Sequence, residues 1–276
     1  GELLDIGGRR LHVDCQGPAT GPTVIIEAGM SQFVAHGTYG EAQRRIAAFA
    51  RVCIYDRAGL GWSDADPSPR THDAMVDDLH RFVEAKRLPT PLVLVGHSIG
   101  GLLVRRYAQR HPRDVHAVVL LDATPEGHLY TPAGEAERAA LVARITAGLA
   151  QAKPGVPVVN MPASTPAATQ LAFTPEVLSA VREEYAAIDR TPVAMRGPGG
   201  YGTLGDIPLY VVRRGKVASP PSASDEQWRT QQESLLGLSR KSTMIVAEGA
   251  GHMFVFEQPA IAVDAVRRAL GLPAAP

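Results

Sequence analysis

Gly96-His97-Ser98-Ile99-Gly100 is the stretch of this chain best suited to chemistry. A serine hydroxyl is a poor nucleophile near neutral pH, so it reacts only when its geometry is unusual and a base lies within hydrogen-bond reach. The flanking sequence supplies the geometry. Pro91–Val95 is a short apolar, β-branched run, the pattern of a strand buried on both faces. Leu102, Leu103, Val104, Tyr107 and Ala108 follow at helical spacing. Strand, sharp turn and helix together present a serine at the tip of a strained turn. Gly96 and Gly100 keep the turn free of side chains, and the free N–H groups of the following helix favour developing negative charge. The alternative is a tight turn in which Ser98 only caps the helix.

The base must be sought among nine histidines. Only His252 lies in a glycine-rich loop, Gly249-Ala250-Gly251-His252, between a last strand and a terminal helix. His12, His36, His72, His80, His111, His116 and His128 lack such a setting and read as surface or packing residues. His97 reads as packing behind the turn. No H-x-x-x-H helix and no Cys/His cluster points to a metal, so none is expected, and no cofactor either.

These residues must be positioned by a large core. The chain has 276 residues, 45% hydrophobic and 20% charged, which fits one globular domain with an insertion. Lys+Arg and Asp+Glu both number 28, so nothing favours a nucleic acid or an anionic membrane as partner. No apolar run approaches the roughly 18–20 residues of a membrane span. The chain begins at Gly1 without a methionine, so the compartment is left open between cytoplasm and export after leader removal.

The spacing predicts strands over Glu2–Ile6, Arg9–Cys15, Thr23–Glu27, Arg51–Tyr55, His116–Leu121, Ile207–Val212 and Ser242–Glu248, besides the one before Ser98. It predicts helices over Tyr39–Ala50, Thr71–Lys86, Glu135–Ala150, Pro175–Ala187, Asp225–Leu238 and Glu257–Leu270. Alternating strands and helices argue for a mostly parallel sheet covered on both faces. Pro125–Asp206 breaks the alternation. It holds no convincing strand, and its glycine-rich Gly197–Gly205 lacks the preceding strand and following Lys-Ser/Thr of a phosphate cradle. We read residues 125–206 as a helical lid inserted into a core formed by 1–124 and 207–276.

Val24–Met30, Tyr55–Ser63, Gly96–Gly101 and Gly249–His252 together resemble the α/β-hydrolases, in particular their bacterial serine esterase and lactonase branch. The resemblance covers nearly the whole chain and is specific for the superfamily, not for a substrate. It implies an eight-stranded, mostly parallel sheet with helices on both faces and a helical lid. It implies the chain order nucleophile, acid, histidine, which suits Ser98 and His252.

The acid is where this chain departs from the common pattern. In most relatives it follows the strand corresponding to Ile207–Val212, but here Arg213–Ser219 contains no carboxylate. Asp122, at the end of the preceding strand, is the favoured candidate, because some members carry the acid there. Asp225 is the second, and Glu126 and Glu248 remain; the plain alternative for Asp122 is a strand-end residue that caps the next turn. The resemblance further implies an oxyanion hole from the backbone N–H groups of Ile99 and Met30. It also makes the strands bearing Cys15 and Cys53 neighbours, which allows a disulfide; two buried small residues is the alternative.

The implied activity is cofactor-free cleavage of carboxylic esters or lactones through an acyl-enzyme on Ser98. The expected partner is a small or medium, uncharged substrate, shaped to apolar lid residues and to Met30, Phe254 and Phe256. Epoxide hydrolases and haloalkane dehalogenases in the superfamily carry Asp where this chain has Ser98, which disfavours both. C–C hydrolase, haloperoxidase and aminopeptidase chemistry share the same residues and stay open. So do a hydrolase-like ligand-binding protein with very slow turnover and a purely structural interaction module.

Overall fold

The computed structural model describes residues 1–30, 35–158, 170–216 and 222–273. Eight strands form one sheet: β1 (Glu2–Asp5), β2 (Arg10–Gln16), β3 (Val24–Glu27), β4 (Val52–Tyr55), β5 (Leu92–His97), β6 (Val115–Leu121), β7 (Leu209–Arg214) and β8 (Ser242–Ala247). Their spatial order is β1-β2-β4-β3-β5-β6-β7-β8. β2 runs antiparallel to both β1 and β4, and every other pairing is parallel. This is the eight-stranded, mostly parallel sheet expected from the sequence.

Central strands are buried along their whole length, so both faces must be covered. Leu92 and Leu94 of β5 face one helical layer, α2 (His72–Ala85) and α3 (Gly100–Arg110), through Leu79, Phe82 and Tyr107. Val93 and Val95 face the other layer, α1 (Ala35–Ala47) and the last helix, through Tyr39, Ile46 and Val266. The two-residue repeat of a strand thus divides one apolar run between two cores.

Element ends moved by a few residues from the sequence reading, with local causes. Thr71 caps α2, its side chain accepting from Ala74 N at 3.1 Å. α1 starts at Ala35 rather than Tyr39 because Ala35, Tyr39, Ala42 and Ile46 share its buried face. The expected closing helix starts at Pro259 rather than Glu257, because a proline opens it and the residue before it, Gln258, is held out of helical geometry.

Cys15 and Cys53 are direct partners across β2 and β4 and form a disulfide, with Cα atoms 4.1 Å apart. The two-buried-thiols alternative is thereby set aside.

β6 and β7 pair directly, from Val118↔Leu209 to Leu121↔Val212. Everything between them is therefore an excursion from the sheet. Its described part holds α4 (Glu126–Leu129), α5 (Pro132–Leu149) and α6 (Pro175–Asp189), with no strand among the described residues. α6 buries Val177 and Val181 against Leu60 of the core. Residues 159–169 of the Pro/Ala-rich stretch Lys153–Thr169 lie outside the described residues, as do 217–221. The remaining α-helices among the described residues are α7 (Ala223–Ser234), α8 (Phe254–Glu257) and α9 (Pro259–Ala269).

Candidate active site

Ser98 follows β5 directly and is in the left-handed region, with φ +53°. That conformation is costly for a residue with a side chain and is held from both sides. Ser98 N donates to Leu121 O at 3.2 Å, and Thr124 N donates to Ser98 O at 2.9 Å. The glycines are needed for close approach. A Cβ on Gly96 would lie 2.6 Å from Gly100 O, and one on Gly100 would lie 2.4 Å from Glu27 O. The first turn of α3 has no side-chain cap, so its dipole is directed at the space beside Ser98.

Asp122, one residue beyond β6, also has positive φ, +41°. Its carboxylate is fully buried and meets donors from three elements. His252 Nδ1, from the loop after β8, donates to Oδ2 at 2.6 Å. Arg214 Nη1 donates to the same oxygen at 3.0 Å. Arg214 N donates to Oδ1 at 3.1 Å, and Trp228 Nε1, from α7, donates to it at 2.9 Å. Burial pushes this carboxyl up, but the bonds from His252, Trp228 and the Arg214 N–H outweigh it and hold it below the ordinary carboxylate range. An ionised Asp122 can only accept, so it keeps the proton of neutral His252 on Nδ1 and leaves Nε2 as an acceptor.

The other acid candidates are committed elsewhere. Asp225 closes a capping box with Ser222 at the start of α7. Glu126 is buried in a two-bond pair with Arg105, at 2.9 and 2.6 Å. Glu248 is exposed.

His97 does more than pack behind the turn. Its Nε2–H donates to His252 O at 3.0 Å, because a carbonyl can only accept. Its Nδ1 then accepts from Tyr39 OH at 2.8 Å, and Tyr39 OH accepts from Gly29 N at 2.8 Å. One buried chain of bonds therefore ties the loop after β3 to the loop of His252. Burial, reinforced by His252, pushes His97 down to about 4, so it works as a neutral linker.

The loop after β3 is also fixed from the opposite side. Arg57 Nη1 donates to Ala28 O at 2.8 Å, and Nη2 donates to Gly29 O at 2.9 Å. The same guanidinium grips Glu184 of α6 with two bonds, at 2.6 and 2.9 Å, and Glu27 at 2.8 Å. Burial opposes the Arg57 charge, but Glu184 and Glu27 outweigh it. Burial lifts Glu27 above its ordinary value despite Arg57 and a bond from Tyr55.

Ser98, His252, Met30 and Ile99 open onto one cavity of about 410 Å³. Leu129, Leu141, Tyr185 and Ile188 from α4, α5 and α6 line its far side. Among the described residues, no backbone carbonyl accepts from the N–H of Met30 or Ile99. Ser98 Oγ pairs with Thr124 Oγ1 at 3.3 Å, and it makes no hydrogen bond to His252.

Several expectations need correction. Phe254 is fully buried in the core and Phe256 is 62% exposed, so neither lines the cavity. His128, placed with the surface and packing histidines, does line it, edge-on to Trp228. Glu137, Arg138 and Arg214 also reach the wall, which is less apolar than the composition of the insertion implied. Thr124, Arg214 and Trp228 were not singled out from sequence, since no spacing rule joins them to Ser98. The missing carboxylate after β7 was the one available signal, because it marks the place that Arg214 occupies.

His80, His111 and Asp114 form a group with ligand atoms within 4.8 Å of one another, on a different part of the chain. The two imidazoles stack at 3.9 Å with planes 12° apart. Their in-plane lone pairs therefore run side by side instead of converging on one ion.

Comparison with known proteins agrees with this architecture. The family model described as "Alpha/beta hydrolase family" matches residues 32–265. A monoacylglycerol lipase of Mycolicibacterium smegmatis is 31% identical over 192 residues, 65% of this chain and 61% of the lipase. Two other relatives, 32% and 40% identical over 131 and 73 residues, are far longer, and the chain spans 18% and 14% of their lengths. Among solved structures, a thermophilic esterase from Thermogutta terrifontis superposes with a TM-score of 0.71 at 18% identity, covering 98% of this chain and 97% of the other. The enol-lactonase of Burkholderia xenovorans LB400 gives 0.71 at 16% identity, covering 98% and 100%. At those identities the structural likeness concerns the fold. The chain belongs to the alpha/beta hydrolase family.

Proposed function

We propose that this alpha/beta hydrolase cleaves carboxylic esters or lactones without a cofactor, through an acyl-enzyme on Ser98. The observation that carries the reading is the 2.6 Å bond from buried Asp122 to His252, which opens on the same cavity as a Ser98 held at positive φ. The lipase, esterase and lactonase among its relatives and structural neighbours support the reaction class.

In this mechanism Ser98 Oγ leaves Thr124 and attacks the substrate carbonyl carbon, while His252 Nε2 takes the hydroxyl proton. Asp122 keeps the imidazole oriented and stabilises the imidazolium. The carbonyl oxygen becomes an oxyanion facing the N–H groups of Met30 and Ile99. Collapse of the tetrahedral intermediate breaks the C–O bond, and His252 returns the proton to the leaving alkoxide. Water then attacks the acyl-enzyme with His252 again as base, releasing the acid and restoring Ser98. We read residues 125–206 as the lid that closes the cavity and shapes the acyl site, through Leu129, Leu141, Tyr185 and Ile188.

The test is hydrolysis of a short series of p-nitrophenyl esters by wild type and Ser98→Ala, with intact-mass detection of a fluorophosphonate adduct. Labelling at Ser98 and multiple turnover that is lost in the variant is the expected result. Absence of both labelling and turnover sinks the reading. The Ser98–Thr124 contact favours a second reading, a ligand-binding protein whose serine is parked away from its base. Labelling without multiple turnover is its signature.

A further inference from the structure

Arg214 fills the end of β7, the position left without a carboxylate in the sequence, and its guanidinium faces the acid instead of replacing it. Asp122 Oδ2 accepts from both Arg214 Nη1 and His252 Nδ1. Trp228 holds both members of the ion pair: its Nε1 bonds Asp122 Oδ1, and the guanidinium lies over its ring at 4.5 Å from the centroid. The Arg214 side chain is 24% exposed and Asp122 is fully buried, so the cation is fixed where solvent screens it only in part.

We propose that Arg214 is a positioning residue that acts through Asp122: by sharing one carboxylate oxygen with His252, it limits imidazolium stabilisation and sets the acid limb of activity. The inference rests on reading Ser98, His252 and Asp122 as nucleophile, base and acid. A carboxylate with no other partner would stabilise protonated His252 fully, and the base would be blocked at higher pH. A second cation on the same oxygen takes up part of that field and repels the imidazolium directly.

From α8, Glu257 brings a carboxylate beside Gly251, within 3.9 Å of where its Cβ would lie, and none of the rings facing His252 is a permanent cation. From the end of β5, His97 lies tilted beside it, at 4.8 Å between centroids, but is neutral and donates to its carbonyl. From α7, Trp228 presents an edge at 6.1 Å. From α4, His128 stands behind Trp228, and burial pushes it below its ordinary value. Among the described residues, Arg214 is thus the permanent cation in direct contact with the Asp122–His252 pair.

The experiment is an NMR titration of the His252 imidazole in wild type, Arg214→Gln, Arg214→Met and Arg214→Lys, with His252→Asn identifying the resonance. The pH dependence of kcat/KM on p-nitrophenyl acetate is measured alongside. Loss of the charge in Arg214→Gln or Arg214→Met should raise the His252 midpoint by about 0.5–1 unit, moving the acid limb to higher pH by the same amount. Arg214→Lys should keep the wild-type midpoint while losing part of kcat/KM with the planar fork. An unchanged midpoint in both uncharged variants overturns the proposal. So does an equal shift in all three, which marks a purely structural role. The titration needs no turnover, so failure of the ester-hydrolase reading shows in the kinetics and failure of this one in the resonance.

Discussion

Asp122 and His252 are 130 residues apart in the chain and 2.6 Å apart in the fold. Each lies just past the end of a strand, β6 and β8, and β7 runs between those two strands. The pair therefore bridges over the end of β7, and Arg214 lies where that bridge crosses. An acid on β6 instead of β7 still reaches the histidine because parallel strands end at the same edge of the sheet.

The first prediction concerns that bridge. Asp122→Asn keeps the shape but replaces the anion, so His252 loses its tautomer control and its counter-charge. Turnover should fall by about 10³–10⁴-fold, with far-UV circular dichroism unchanged. A folded variant within tenfold of wild type would move the acid role to another carboxylate, Asp225 first.

Thr124 holds the Ser98 hydroxyl in the resting protein, and attack must break that bond. A neutral hydrogen bond contributes about 0.5–1.5 kcal/mol, so its loss should change turnover less than about tenfold, and upward. Steady-state kinetics of Thr124→Ala check this. A loss beyond a hundredfold would make Thr124 part of the reaction itself.

Glu184 reaches from α6 to Arg57, which carries the loop of Ala28 and Gly29. Glu184→Gln removes one charge from a buried network and leaves Glu27 as the carboxylate paired with Arg57 among the described residues. Stability should drop by about 2–4 kcal/mol in urea unfolding. Because the same guanidinium fixes the loop after β3, which the proposed mechanism uses as its oxyanion hole, kcat should fall while KM stays near wild type. A stability loss with unchanged kcat would separate α6 from the loop.

Two buried histidines make stability depend on pH. Burial pushes His72 and His97 down to about 4, against an unfolded value near 6.5. The unfolded chain binds more protons in that window, so stability from these groups is complete above about pH 6.5. It is lost as pH falls from there toward 4, by roughly 3 kcal/mol for each. Urea midpoints measured from pH 7.5 to 4.5 should be level at first and then decline. His72→Gln should decline less steeply. A wild-type midpoint that stays level down to pH 4.5 would contradict the buried, neutral assignment.

Much of this was legible in the chain because its causes are local. The apolar run Leu92–Val95, the glycines around Ser98 and the helical spacing after it define strand, turn and helix within a few residues of one another. The glycine-rich loop before His252 is equally local. The break in alternation from Pro125 coincides with the excursion between β6 and β7, and the closing helix starts at Pro259, two residues later than its periodicity indicated. What pattern could not supply was pairing. Asp122 and Asp225 both end or open an element in the sequence, and both satisfy a local role; only the sheet order brings one of them to His252.

The sequence by itself determined the fold class, the strained serine and the histidine, since short-range sterics and hydrophobic period dictate each of them. Tertiary structure alone decided that Arg214 shares the acid's oxygen and that Arg57 joins α6 to the loop after β3. It alone decided that His97 links two loops, that Cys15 bonds Cys53, and that Thr124 rather than His252 holds the resting hydroxyl. The reason is physical: those relations depend on distances between residues far apart in the chain, set by strand register and by which helix lands on which face, and no local period encodes them.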